Sequence, residues 1–438
     1  MLPKMNGAAQ LPQADAAFVD GITSAPMSSM PAIEKYFALM LEQQASDLHL
    51  SSGVRPMLRV DGAMTVAENT LLSSETITGL LHEIMPERNR AEFEKHFDTD
   101  FAYNYNDLAR FRCNVFMDSR GVGAVFRLIP SNIQSFEELG LPDHLKKFCF
   151  LTKGLVLVTG PTGSGKSTTL ATMINFINQN RADHIITIED PIEFLHRNQK
   201  CVLNQREVHS HTESFPRALR AALREDPNIV LIGEMRDLET VRIALETADT
   251  GHLVFATLHT STAATTVERL INIFPADEQA QVRMSLAENL KGVVSQTLCK
   301  MKEGGRIAAL EILVHTYALG ANIRDAKIHQ IPSLIQTGQR LGMRTLNDSL
   351  TELLTWDIID AVEAYQKAVA KEEIIKRMAT IPHCRSPRTK QPWTEAELIR
   401  AAEDSCAAAD NISDKPRLTP EQATLKKKSL TALARSAA

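Results

Sequence analysis

The stretch Gly154-Leu-Val-Leu-Val-Thr-Gly160-Pro-Thr-Gly-Ser-Gly-Lys166-Ser-Thr-Thr-Leu-Ala-Thr-Met173 places an apolar run, a glycine-rich turn and a helix-like run directly after one another. Leu155 to Thr159 reads as a buried strand and the residues after Lys166 as a helix. Between them Gly160, Gly163 and Gly165 permit backbone conformations and close approaches that side chains would block, aiming N–H groups at phosphate oxygens. Gly160, Pro161, Thr162, Gly163, Ser164, Gly165, Lys166, Ser167 and Thr168 are the candidate nucleotide-binding residues. Lys166 is expected to reach the β and γ phosphates and the Ser167 hydroxyl to ligate Mg²⁺, so ATP and Mg²⁺ are the expected cofactors. The bare pattern recurs by chance in unrelated chains; the flanking strand and helix make it specific.

Downstream the chain keeps alternating apolar strands, at Ile185 to Ile188, Ile229 to Ile232 and Leu253 to Thr257, with longer amphipathic stretches. Such alternation predicts an α/β domain with a parallel sheet, helices on its faces and ligands at the carboxyl ends of the strands. Three further features fall at those ends. Ile188-Glu189-Asp190-Pro191-Ile192-Glu193 places carboxylates there; alone they read as a turn or cap, but beside the loop they can orient water or hold a metal's hydration shell. Asn228-Ile-Val-Leu-Ile-Gly-Glu-Met235 ends in Glu234, with Gly233 where an aspartate is usual, making Glu234 the candidate metal-linked or water-activating carboxylate. His259, between Thr257 and Thr260, reads as a γ-phosphate sensor rather than a general base. Glu189, Glu193, Glu234 and His259 are thus the catalytic candidates. Phosphate chemistry also needs positive charge, and Arg112, Arg127, Arg217, Arg220 and Arg236 are candidates that the residues alone do not rank.

The chain has 438 residues, 44% of them hydrophobic, which suits two or three domains. Residues 1–31 read as a disordered leader without apolar periodicity. Residues 32–130 read as a small α+β domain, with a hairpin turn signal at Asp61-Gly62, and residues 131–153 as a linker enclosing a short helix. Residues 154–378 form the α/β domain, mostly helical from Asp277 apart from a hairpin around Glu303-Gly-Gly305. Residues 379–438, with the basic run Lys426-Lys-Lys428, read as a poorly ordered tail in which Thr394 to Cys406 has the periodicity of one isolated helix.

The six cysteines show no paired spacing, arguing against a disulfide framework or a zinc site, and no stretch suits a secretory signal or a membrane span. A cytoplasmic protein is expected, reaching a membrane only through a partner. A nucleic-acid translocase would need a basic pore interleaved with aromatics, whereas the chain has 5% aromatics and a net charge of −5, so no direct nucleic-acid partner is expected.

From about residue 32 to 370 the chain resembles the type II/IV secretion ATPases, and among them the pilus-retraction (twitching-motility, PilT-type) motors. The resemblance is carried by Gly160 to Ser167, the acidic box Ile188 to Glu193, Leu231-Ile-Gly-Glu-Met-Arg-Asp237 and the histidine box Ala256-Thr-Leu-His-Thr260. Ala45-Ser-Asp-Leu-His-Leu50, Arg59-Val-Asp-Gly62, Arg110-Phe-Arg-Cys-Asn114 and Val125-Phe-Arg-Leu-Ile-Pro130 look like the family's N-terminal domain. The resemblance implies a RecA-like P-loop NTPase domain behind a PAS-like one. It further implies a homo-hexamer that hydrolyses ATP between subunits and pulls on an inner-membrane pilus platform protein, with a paralogous retraction ATPase as a further implied partner. Assembly and type II secretion ATPases usually carry a larger N-terminal region and a tetracysteine insert after the histidine box, whereas only Cys299 lies between His259 and Glu311 here. Ala318-Leu-Gly-Ala-Asn-Ile-Arg-Asp325 stands where the retraction branch has its signature, and Ile323, Arg324 and Asp325 match it. An accessory retraction paralogue, or an assembly or type II secretion ATPase, is the alternative reading.

Overall fold

The computed structural model describes residues 31–60, 63–106, 108–129 and 133–409; residues 1–30 of the leader expected over 1–31, the Asp61-Gly62 turn and the Lys426–Lys428 run lie outside them. Contacts divide the chain into a first unit, up to Asp107 and from Phe111 to Leu128, and a second from Ile129 onward with Leu108–Arg110.

The first unit runs α1 (Glu34–Glu42), β1 (Asp47–Ser51), β2 (Met57–Val60), β3 (Ala63–Val66), α2 (Ser74–His82), α3 (Glu87–His96), β4 (Asp98–Tyr105), β5 (Ala109–Asp118) and β6 (Gly121–Ile129). Its strands form one sheet in the order β3-β2-β1-β6-β5-β4. Alternation in β5 buries Phe111, Cys113 and Val115 on one face. Phe37 of α1 lies on that face, stacked on Phe111 at 4.2 Å and edge-on to Phe126 at 5.3 Å.

In the second unit the strands are β7 (Gly154–Thr159), β8 (His184–Glu189), β9 (Val202–Glu207), β10 (Ile229–Ile232), β11 (Leu253–Leu258), β12 (Leu290–Lys300) and β13 (Arg306–Val314). They make a seven-stranded sheet in the order β13-β12-β7-β11-β10-β8-β9. All neighbours are parallel except β12 and β13. Every residue of β7, β10 and β11 is buried, as strands covered on both faces require, so their sequences are unbroken apolar runs. The helices are α4 (Phe136–Leu139), α5 (Lys146–Cys149), α6 (Lys166–Asn180), α7 (Phe215–Ala222), α8 (Leu238–Asp249), α9 (Ala263–Asn272), α10 (Gln279–Asn289), α11 (Tyr317–Arg324), α12 (Ile331–Thr337), α13 (Leu346–Thr355), α14 (Ala361–Lys367), α15 (Lys371–Thr380) and α16 (Glu395–Ala409).

Two expectations change. The linker over residues 131–153 belongs in large part to the second core: Phe136, Leu145, Phe148 and Cys149 pack with α6 and the sheet, because burying their apolar side chains there is favourable. The hairpin expected around Glu303-Gly-Gly305 is present: β12 and β13 are its antiparallel arms, and β12 joins it to the main sheet beside β7. Residues 379–409, expected to be poorly ordered, are instead folded as far as they are described. Leu398 of α16 is fully buried with Leu350, Tyr365, Ile374 and Met378, and Tyr365 Oη donates to Glu395 Oε1 at 3.0 Å, so the helix is a packed one rather than an isolated one. Cys149, Cys201, Cys299 and Cys384 are buried free thiols, and Cys113 is buried too.

Candidate nucleotide site

The sheet order puts β7 in the middle, next to β11, with β10 and β8 beyond, so the loop after β7 opens beside the carboxyl ends of the three strands whose boxes were singled out. Helix α6 starts at Lys166 directly after Gly165, whose φ is +88°, and no side chain caps its N-terminus. Its first N–H groups are thereby left for an anion to satisfy. Pro161, Thr162 and Gly163 are exposed, Ser167 and Thr168 partly so, and Ser164 and Lys166 are buried. Lys166 Nζ donates to Gly160 O at 3.0 Å and Pro161 O at 3.2 Å. Burial pulls the Lys166 ammonium below its usual range, and the charges of Glu234 and Glu193 partly offset that pull, so both carboxylates lie within electrostatic reach of the loop.

Glu234 stands just past β10. Its Oε1 accepts from Arg236 Nε at 2.6 Å and pairs with His259 Nε2 at 2.9 Å. Burial works to raise the Glu234 carboxyl, but Arg236 and His259 outweigh it and hold the group below the usual carboxylate range. Gly233 beside it donates from its N–H to Ile188 O at 2.7 Å, and a Cβ there would come within 3.1 Å of Glu189 Cα. The strands are so close that the usual aspartate would have to press on the backbone of the acidic box. Asp237 is used otherwise, capping α8 by accepting from Thr240 N at 2.8 Å.

Glu189 ends β8, accepts from Thr187 Oγ1 at 2.6 Å and Gln205 Nε2 at 3.3 Å, and burial pushes its carboxyl up to about 7. Ser167, Thr187, Glu189, His196, Gly233 and Thr257 line one small cavity. Leu170, Ala171, Phe194 and Leu231 line it as well; its oxygen donors, the hydroxyls of Ser167, Thr187 and Thr257 and the Glu189 carboxyl, are of the hard kind that suits Mg²⁺ bound through few protein ligands and substrate phosphates.

Lys166, Ser167, Glu189, Glu193, Glu234, Arg236 and His259 therefore converge. Arg217 and Arg220, in the same unit, do not join them. Arg217 pairs with Glu213 at 3.0 Å and Arg220 with Glu239, both at the surface of the second unit, while Arg112 pairs with Asp100 at 3.7 Å and Arg127 with Asp47 at 2.8 Å within the first. Of the retraction-signature residues, Ile323 is buried in the core, whereas Arg324 and Asp325 are exposed at the end of α11. Gly320 of that helix lets it approach α10, since a Cβ would lie 2.9 Å from Ala287 O.

Two neighbours of the site carried no local signal. His196 follows the acidic box with its imidazole in the cavity, and burial lowers it to about 4, so it is neutral at pH 7. Gln296 of β12 is buried behind the loop, donating from Nε2 to Ser164 O at 2.6 Å and accepting from Thr169 Oγ1 at 2.8 Å.

Residues 25–303 match the family described as type II/IV secretion system protein. The chain is 51% identical over 340 residues to the type IV pilus retraction ATPase PilT of Pseudomonas aeruginosa, covering 78% of this chain and 99% of the relative. It is 40% identical over 342 residues to the type IV pilus ATPase PilU of the same organism, covering 78% and 90%. Among solved structures, that of the pilus retraction motor PilT with bound ADP superposes with a TM-score of 0.74 at 43% identity, covering 78% of this chain and 98% of that one.

Proposed function

This chain belongs to the type II/IV secretion system protein family, and on that premise we propose that it is an ATPase motor powering type IV pilus retraction and twitching motility. The observation that carries the reading is the convergence of Lys166 and Ser167 at the start of α6 with Glu234, itself clamped by Arg236 and His259. The higher identity to the retraction ATPase than to PilU favours the main motor over an accessory paralogue.

The chemistry follows from charge. The loop N–H groups and α6 N-terminus bind the phosphates, and Lys166 leaves its carbonyl partners for the stronger, charged phosphate oxygens. Ser167, with water in reach of the acidic residues, would hold Mg²⁺, which would supply positive charge against the phosphates. Glu234, kept ionised at neutral pH, orients the attacking water and accepts its proton. His259, bonded to that carboxylate, feels the loss of the γ phosphate and passes it to the strand end of β11. Glu189 and Glu193 would hold the water shell of the metal, and Arg236 shields the Glu234 carboxylate, while the other arginines are candidates to act on a neighbouring subunit's phosphates. The working form is a homo-hexamer at the inner membrane, attached through the pilus platform protein; among the described residues no helix is long and apolar enough to cross a membrane.

Steady-state hydrolysis by the purified chain tests the site. Wild type is expected to turn over Mg-ATP and Lys166→Ala to lose turnover by at least about a hundredfold, because the charge on the transferring phosphate is gone. Undiminished hydrolysis in the variant would remove the loop from the mechanism.

A further inference from the structure

The loop is held from behind by a strand that shares no sequence neighbourhood with it. β12 runs parallel to β7 with Ser295 opposite Thr159, and their hydroxyls meet at 2.8 Å. Gln296 is therefore one step further on, at the point where β7 gives way to Gly160. Its side-chain amide spans the loop: Nε2 donates to Ser164 O at 2.6 Å, and Oε1 accepts from Thr169 Oγ1 at 2.8 Å in the first turn of α6. Two motif glycines are shaped to this contact. A Cβ on Gly160 would lie 2.2 Å from Gln296 O, and one on Gly165 would lie 2.8 Å from Gln296 Nε2.

A trans peptide points its C=O and N–H in opposite directions. The peptide joining Ser164 to Gly165 has its carbonyl tied to Gln296, so its N–H is turned the other way, toward the concave face of the loop. Without the tie that peptide can rotate and present an oxygen to the phosphates, which is repulsive. Among the loop's carbonyls, Gly160 O and Pro161 O are engaged by Lys166, from within the motif; Ser164 O is engaged by a residue 132 positions away.

We propose that Gln296 is a positioning residue for nucleotide binding, fixing the Ser164–Gly165 peptide with its N–H directed at the phosphates. The inference rests on the nucleotide site proposed above. It predicts an effect on affinity greater than on the chemical step, since Gln296 does not touch the reacting atoms.

The test is titration of the full-length protein with ADP in the presence of Mg²⁺, alongside KM and kcat for ATP, in wild type, Gln296→Met and Thr169→Val. Methionine fills the same space with no amide, so a residue that merely fills the gap tolerates it. The expected result is a rise of about tenfold in the ADP dissociation constant and in KM for Gln296→Met, the size of one lost hydrogen bond plus an unsatisfied carbonyl, with a smaller fall in kcat. Thr169→Val, which frees the other end of the amide, is expected to weaken ADP about threefold. Unchanged ADP affinity in Gln296→Met overturns the proposal while leaving the nucleotide site standing, whereas a wild type that binds no ADP overturns both. Should Gln296→Met melt early without nucleotide, Thr169→Val decides: wild-type affinity there overturns the proposal as well.

Discussion

Two glycines of the same loop are expected to differ sharply when each is replaced by alanine. Gly163 has φ of +77° and nothing within 4 Å of an added Cβ, so Gly163→Ala faces only the left-handed backbone. That costs about 1 to 2 kcal/mol, partly offset by the lower entropy of the unfolded chain. Gly160 has φ of +144°, and its Cβ would lie 2.2 Å from a backbone oxygen of β12, which cannot yield without moving a central strand. Strain of about 2 kcal/mol and overpacking of about 2 kcal/mol add to roughly 4 kcal/mol for Gly160→Ala. For a unit of this size the first change lowers Tm by about 2 to 4 °C and the second by about 10 °C or more. Thermal melting without nucleotide reads both, and titration with Mg-ADP reads whether the loop still binds. Equal, mild shifts in the two variants would refute the close packing of the loop on β12.

Glu234→Gln keeps the size of the side chain but cannot accept a proton, so ADP binding is expected within about threefold of wild type while kcat falls by roughly a hundredfold or more. Equal activity would move the role to Glu189 or Glu193. Burial raises Glu189 from 4.5 to about 7, so the folded protein holds its proton where the unfolded chain has released it. Stability is thus fully present below about pH 4.5 from this group and declines as pH rises toward 7, by roughly 3 kcal/mol in all. Glu189→Gln is expected to flatten that decline in denaturant titrations across pH 5 to 8, and an unchanged pH profile would contradict the burial assigned to it.

The parts of the site legible in the sequence were those whose meaning is local. Glycines between an apolar run and a helix, and acids or a histidine at the tips of three buried strands, can be placed once parallel order is recognised, because ligands meet such sheets at those tips. Gln296 was not legible, since Leu290-Lys-Gly-Val-Val-Ser-Gln-Thr-Leu-Cys-Lys300 mixes polar and apolar residues, and nothing local marks Ser295 and Gln296 as the polar ones that bond β7, the loop and α6 rather than solvent. β9 escaped notice for a related reason: at the sheet edge Val202 and Asn204 are exposed while Leu203 is buried, so no continuous apolar run marks it. The glycines themselves changed in meaning, because the space they leave is taken up in part by Gln296 rather than by phosphate alone. Residues 379–409 looked solvated by composition, yet Leu398, fully buried, and Glu395, which accepts from Tyr365, bring their helix onto α14.

The direction of work is the central claim, and assembly and retraction use the same chemistry, so a clean deletion of this gene in its own organism is the most direct measurement. Surface pili and twitching zones are scored together, with the wild-type chain and Lys166→Ala supplied back. Excess surface pili without twitching, restored by the wild-type chain and not by Lys166→Ala, is the expected result. Loss of surface pili on deletion would contradict retraction and identify an assembly motor.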